Sequence, residues 1–308
     1  MNRISTYVQT ISAQAEIMRT QKALAETQRQ ASSGLRANDL QGFGLDAGRL
    51  MSLRTIAARN DAAVEQMRQL TVRVDSQALA LERFQAAAEE TKAAIADALS
   101  LNSGVELMNR LANVFAQARD AVNADVGGRY LFAGASSDSR PVTADTLDAL
   151  AALPLTDDAF DHADYAETVR LPDGSVIEAA PRAREFATGL FDLLRVIKQF
   201  SDGPDGPLTG SLTQDQRDFL TSQMATANGV REAAGVVQGA NGGIQRRVDD
   251  LTLFAGERRD LWTGLAGEVS DADMGEVATR LSALQTQFQA SAQVFSQVSR
   301  LTLLDSLR

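Results

Sequence analysis

The residues best suited to chemistry crowd into one acidic stretch: Asp157, Asp158, Asp161, His162, Asp164 and Glu167. His162 is the chain's only histidine. Carboxylates around an imidazole suggest a divalent cation, but a calcium loop needs Asp-x-Asp-x-Asp-Gly with a distal Glu, and the spacing here differs. The stretch reads as a solvated acidic loop, in which a lone histidine is a poor general base. The chain has no cysteine, hence no disulfide, thiolate nucleophile or zinc–thiolate centre. Gly239 to Gly243 is glycine-rich but follows a helical run rather than a strand, so it does not read as a phosphate loop. Arg246-Arg247 and Arg258-Arg259 read as the solvated face of an acidic helical body. With 30 Lys and Arg against 40 Asp and Glu, the net charge is -10, which argues against nucleic acid, whose phosphates require clustered cations. This inventory contains no catalytic residue, no metal ligand set and no cofactor motif, so the expectation is a protein that is not an enzyme.

The informative pattern is apolar. From Asp271 to Arg308, Val277, Leu281, Leu284, Phe288, Phe295 and Val298 fall at alternating steps of four and three, with Ser291 in one slot. A mean step of 3.5 is a coiled-coil seam. It continues to Leu301, Leu303, Leu304 and Leu307, an apolar stripe that requires a partner. Ile4, Val8, Ile11, Ala15 and Met18 repeat the stepping at the other end, so the two terminal helices are expected to pair through these residues.

Between them the chain reads as helix, insertion, helix. A first helix is expected from about Ser5 to Ser33, stopped by Gly34, with irregular backbone to Gly44. A second runs from about Leu45 to Ser100, roughly 80 Å at 1.5 Å per residue. A third spans about Val105 to Ala124. From Ala135 to Ala180 the helical period is lost, and four of six prolines fall between Pro141 and Pro181. Tyr165–Leu171 and Ser175–Glu178 around Pro172-Asp173-Gly174 predict a β-hairpin. Helix resumes near Arg182. Thr213 with Gln216 predicts a capping box, Asn241-Gly242-Gly243 predicts a kink or short turn, and Ser270 with Asp273 predicts the start of the last helix. The fold class is therefore mainly α: an elongated antiparallel helical coiled-coil or bundle stalk built by both chain halves, with a small β-rich inserted domain. The expected segments are 1–44, terminal helix and loop; 45–134, first half of the stalk; 135–180, insertion; 181–269, second half; and 270–308, the last helix. Aromatics at 5% suit long helices packed through Ala and Leu. Tyr130, Leu131 and Phe132, between glycines, read as a packing anchor where helix meets insertion. No run approaches 18 apolar residues and no secretory h-region opens the chain, so these signals alone predict a cytosolic protein.

Three stretches change that expectation. Arg3-Ile4-Ser5-Thr6, Gln28-Arg29-Gln30-Ala31-Ser32-Ser33-Gly34-Leu35-Arg36 and Asp271-Ala272-Asp273-Met274 with the Gln- and Leu-rich helix after it resemble the bacterial flagellin family. The likeness covers about the first 135 and last 120 residues. Gly128-Arg129-Tyr130-Leu131-Phe132-Ala133-Gly134 is similar to a segment of the family's hook–filament junction members, which flagellins proper usually lack. Asn38 to Gly44 departs from the Pro-Ser-Asp-Asp-Pro-Ala that many members carry there. The resemblance implies a secreted structural subunit of the flagellum, exported by the flagellar type III apparatus without a cleavable signal peptide and located extracellularly. It implies as partners hook-associated protein 1, flagellin, further copies of this chain and an export chaperone, with no nucleic acid and no membrane insertion. The terminal seams, Ile4, Val8, Ile11, Met18, Leu281, Leu284, Phe288, Phe295, Val298, Leu301 and Leu304, become assembly contacts. A flagellin, or a cytoplasmic coiled-coil scaffold, are the other readings of the same heptads.

Overall fold

The structure, a computed structural model, describes residues 2–161 and 165–306, with side chains described for 11–161 and 165–297. Helix α1 spans Asn2–Ser33, α2 Ala47–Leu101, α3 Leu107–Val122, α4 Leu147–Ala152, α5 Ala183–Asp202, α6 Gln214–Ser270 and α7 Met274–Ser306. Two antiparallel strand pairs accompany them: β1 Asp125–Val126 with β2 Arg129–Tyr130, and β3 Thr168–Arg170 with β4 Val176–Glu178. The mainly-α class expected from the sequence is found.

Helix ends follow local chemistry. Gly34 adopts φ +71° and its N–H returns to Gln30 O at 2.9 Å, the left-handed stop that favours glycine. Gln41–Asp46 then forms a 3-10 turn, giving shape to the irregular stretch before α2. At the start of α6, Thr213 N–H donates to Gln216 Oε1 (3.1 Å) and Gln216 N–H donates to Thr213 Oγ1 (3.3 Å), a complete capping box. For α7 the cap is Asp273 Oδ1, which accepts from Gly275 N (2.8 Å) and Glu276 N (3.2 Å); Ser270 instead donates to Asp271 Oδ1.

The chain divides into two compact units, 1–61 with 257–308, and 62–256. In the first, Phe43, Leu50, Leu53, Ala266 and Val269 form a small core beside Trp262 and Leu265. In the second, α5 is the hub. Phe186 packs edge-on to Phe84 (5.0 Å) and Phe132 (5.1 Å), while Phe191 meets Phe115 (5.3 Å) and Phe160 (5.7 Å). Residues 135–180 lie within this unit and share its core through Val142, Leu147, Leu150 and Ala159. They hold the expected hairpin, with Val169 paired to Ile177, and also the unexpected helix α4, capped by Thr146 Oγ1 accepting from Ala149 N at 3.1 Å. A six-residue helix is too short to leave a period in the sequence.

The short turn expected at 241–243 is corrected. Asn241-Gly242-Gly243 makes no turn, and α6 runs unbroken through it. Asn241 is buried on the face toward α2, so packing on both sides holds a stretch whose own propensity opposes helix.

Candidate assembly surface

Two of the stretches that carry the family resemblance build one elbow in the first unit. Ala272 N donates to Gly34 O (2.8 Å) and Arg36 N donates to Ser270 O (2.8 Å), with Leu35 bridged to Asp271. Gln30 Nε2 closes the loop onto Arg36 O at 2.9 Å. The Arg36 guanidinium reaches Asp46 Oδ2 at 2.9 Å and lies 5.5 Å from the Phe43 ring centre. The backbone bridge thus ties the end of α1 to the α6–α7 junction, while the Arg36 side chain ties it to the turn before α2. Beside the elbow a groove of about 400 Å³ is lined by Gln30, Arg36, Asp271, Asp273, Glu276 and Arg280.

From the elbow α1 and α7 run antiparallel: Gly34 meets Ala272 at one end, and further along Gln287 Nε2 lies 3.4 Å from Glu16 Oε1. On α7, Val277 is buried and Leu281, Leu284, Phe288, Ser291 and Phe295 are half-buried, while their neighbours are exposed. These residues form the shielded stripe of α7 over the described side chains. On α1 the seam is not the expected one. The shielded residues include Ala13, Ile17, Thr20, Leu24, Thr27 and Ala31, again stepping four and three. Ile11 is 49% exposed, Met18 58%, and Ala15 is exposed as well. Ile11 and Ala13 are two residues apart, about 200° around the helix, so the two stripes lie on nearly opposite faces. The expected stripe drew the reading through its large apolar residues; the packed one sets Ile17 and Leu24 among Ala and Thr. Thr20 and Thr27 are buried, their hydroxyls bonded to Glu16 O (3.0 Å) and Ala23 O (2.9 Å) one turn back. The side chains of Ile4, Val8, Val298, Leu301 and Leu304 lie outside the described residues.

In the second unit, Tyr130, Leu131 and Phe132 follow a tight turn that leads the chain from α3 into the core. The Gly127-Gly128 turn, both at positive φ, reverses the chain after α3. Leu131 N returns to Ala124 O (2.9 Å), which directs Leu131 and Phe132 into the core at 3% and 0% exposure, with Tyr130 half-buried. Phe132 O accepts from Ala183 N at 2.9 Å, fixing the start of α5.

The acidic stretch has structural uses. Asp157 pairs with Arg184, and Asp158 Oδ2 accepts from Leu155 N at 3.2 Å. Glu167 pairs with Arg73, whose hydrogen bond holds the carboxyl below its usual range, against the opposing effect of partial burial. His162 and Asp164 lie outside the described residues. Among the described residues no cluster of His, Asp or Glu is arranged to hold a metal. Of the basic pairs, Arg247 reaches Asp173 (3.2 Å) and Arg259 reaches Asp260 (2.8 Å). No described helix is long and apolar enough to cross a membrane.

An antiparallel pair of terminal helices, closed by an elbow and carrying an uncovered apolar stripe on α1, is an arrangement suited to packing against further helices. Residues 4–137 match the bacterial flagellin N-terminal helical region. The fold is similar to that of FlgL from Bacillus cereus, with a TM-score of 0.52 at 14% identity, covering 69% of this chain and 99% of that one. It is similar also to a putative flagellar hook-associated protein from Vibrio parahaemolyticus, with a TM-score of 0.53 at 12% identity, covering 73% of this chain and 98% of that one. Among curated proteins there is no match.

Proposed function

We propose that the chain is a structural subunit of the bacterial flagellum at the hook–filament junction, of the hook-associated protein 3 kind. The observation that carries the assembly role is the second stripe of α1. One face of that helix is used on α7; the other presents Ile11 and Met18 to solvent. An apolar stripe on a helix already paired through its opposite face is suited to a further helix, and identical copies meeting head to tail without closing give a helical tube. The likeness in fold to a hook-associated protein, and the Gly128–Gly134 segment, support the junction place over the filament. In this reading 1–44 and 270–308 are the assembly ends, 45–134 and 181–269 the two halves of the stalk, and 135–180 the insertion. Hook-associated protein 1 lies on one side and flagellin on the other. The chain reaches its extracellular site through the flagellar export apparatus, accompanied by a chaperone, and catalyses nothing.

The test is electron microscopy of cells lacking the gene, with flagellin assayed in the medium. Hooks without filaments and flagellin shed to the medium are expected. Hooks that keep their junction proteins, with no filament and no shed flagellin, make the chain the flagellin instead. Normal flagella overturn both.

A further inference from the structure

The unit 62–256 holds two apolar cores. The larger includes Ala80, Leu81 and Phe84 of α2 with Val230 and Ala234 of α6. The smaller joins Met67, Leu70 and Val74 of α2 to Val248 of α6 and Leu171 of the hairpin. Both helices carry an unbroken heptad through the gap between them, but the buried slots there are polar. Gln77 is the one buried residue between Val74 and Ala80, and Asn241 the one between Ala234 and Val248. Each amide is half satisfied. Gln77 Nε2 donates to Ala179 O (3.0 Å) and Asn241 Nδ2 to Val74 O (3.3 Å), while Gln77 Oε1 and Asn241 Oδ1 are buried without a hydrogen-bond partner. A half-satisfied polar layer weakens a seam where it sits.

The helices soften at the same level. Gly235, Gly239, Gly242 and Gly243 fall close together in α6. A methyl group added at Gly235, Gly239 or Gly243 would meet nothing within 4 Å, and at Gly242 only the end of Arg246 at 4.0 Å. None of them makes room for a neighbour, yet each destabilises a helix by about 0.5–1 kcal/mol relative to alanine. Opposite, α2 passes through Thr71-Val-Arg-Val-Asp-Ser76, weak helix formers apart from the arginine. Thr71 Oγ1 bonds Met67 O (3.0 Å) and Ser76 Oγ bonds Val72 O (2.8 Å), back-bonding that goes with bent helices.

We propose that this level is a hinge: the two cores move as separate bodies about the Gln77–Asn241 layer, with α6 bending at 235–243 and α2 at 71–76. Low helix propensity, absent packing demand and a broken apolar seam coincide there, and bending uses all three.

Since the chain has no native cysteine, spin labels can be placed at Leu101→Cys on the larger body and Asp250→Cys on the smaller, in the full-length protein. The interspin distance distribution should be broad or two-peaked. It should narrow to one peak in the Gly235→Ala/Gly239→Ala/Gly243→Ala variant, whose amides over 229–243 should exchange about tenfold or more slowly. Single Gly239→Ala provides the same reading, at smaller amplitude, if the triple variant folds poorly. A single narrow peak in the parent chain overturns the hinge. So does a broad distribution that the alanines leave unchanged. A narrow peak in both, with assembly lost in the variant, assigns the glycines to close packing against a neighbouring subunit instead.

Discussion

Phe132 and Tyr130 are two residues apart in one strand-and-turn, and the structure gives them different work. Phe132 is fully buried against Phe186, so truncation leaves a cavity in the hub of the larger unit; Tyr130 is half-buried and loses mainly surface contact. Phe132→Ala should lower unfolding free energy by about 3–5 kcal/mol, and Tyr130→Ala by far less, in urea titrations followed by circular dichroism. Near-equal effects would mean that the segment is not the anchor. The Arg73–Glu167 pair is the residue-scale tie between α2 and the start of the hairpin. Its carboxyl is held below the usual range, so its contribution is present at neutral pH and fades as pH falls through that lowered value. Glu167→Gln should cost about 1–2 kcal/mol at neutral pH, allowing for solvent screening, and little once the carboxyl is protonated in acid. A penalty that persists in acid would point to packing rather than charge.

At the scale of elements, what the sequence made legible depended on side-chain size. The α7 seam was readable because Val277, Leu281, Leu284, Phe288 and Phe295 are large and regularly spaced. The α1 seam was not. Among the described residues only Ile17 and Leu24 in it are large; Ala13, Thr20, Thr27 and Ala31 carry little apolar signal beside Ile11 and Met18, which point away. The same blindness hid Gln77, Thr91 and Asn241, buried polar residues within long helices. Caps and stops were readable, since Gly34, Thr213 and Asp273 act within a few residues of themselves. The elbow was not: its bonds join Gly34 to Ala272, and no local rule relates positions so far apart. Under the function proposed above, the two stripes of α1 separate folding from assembly. Ile11→Ser with Met18→Ser alters only exposed side chains, so thermal unfolding should shift by no more than about a degree or two, while copolymerisation with flagellin in sedimentation assays should be lost. Leu284→Ser with Phe288→Ser should instead also loosen the α1–α7 pair, seen as faster amide exchange along both helices. If the Ile11/Met18 variant assembles normally, the uncovered stripe is not the docking face.

For the whole molecule the question is how firmly the α1–α7 pair is held. Among the described residues the α1–α7 seam is thin on the α1 side. Ile17 and Leu24 alternate there with alanine and threonine, which bury little area. The Thr20 and Thr27 hydroxyls are satisfied within their own helix, so opening the pair leaves neither without a partner. Apolar burial contributes about 25 cal/mol per Å², whereas ordering the backbone costs about 1–2 kcal/mol per residue. Residues 2–33 and 274–306 are helical, yet the compact cores lie elsewhere, around Phe43, Leu50 and Val269 and around the phenylalanines of α5. Removal of the ends should therefore leave those cores intact. Deletion of Leu301 to Arg308 should leave the main unfolding transition within a few degrees of the full chain in calorimetry, while eliminating assembly onto hooks and restoring neither filament nor motility in a deletion strain. A large drop in the main transition would instead make the deleted segment part of the folded subunit. The uncovered stripe of α1 would then lie on a helix already fixed before any neighbour arrives.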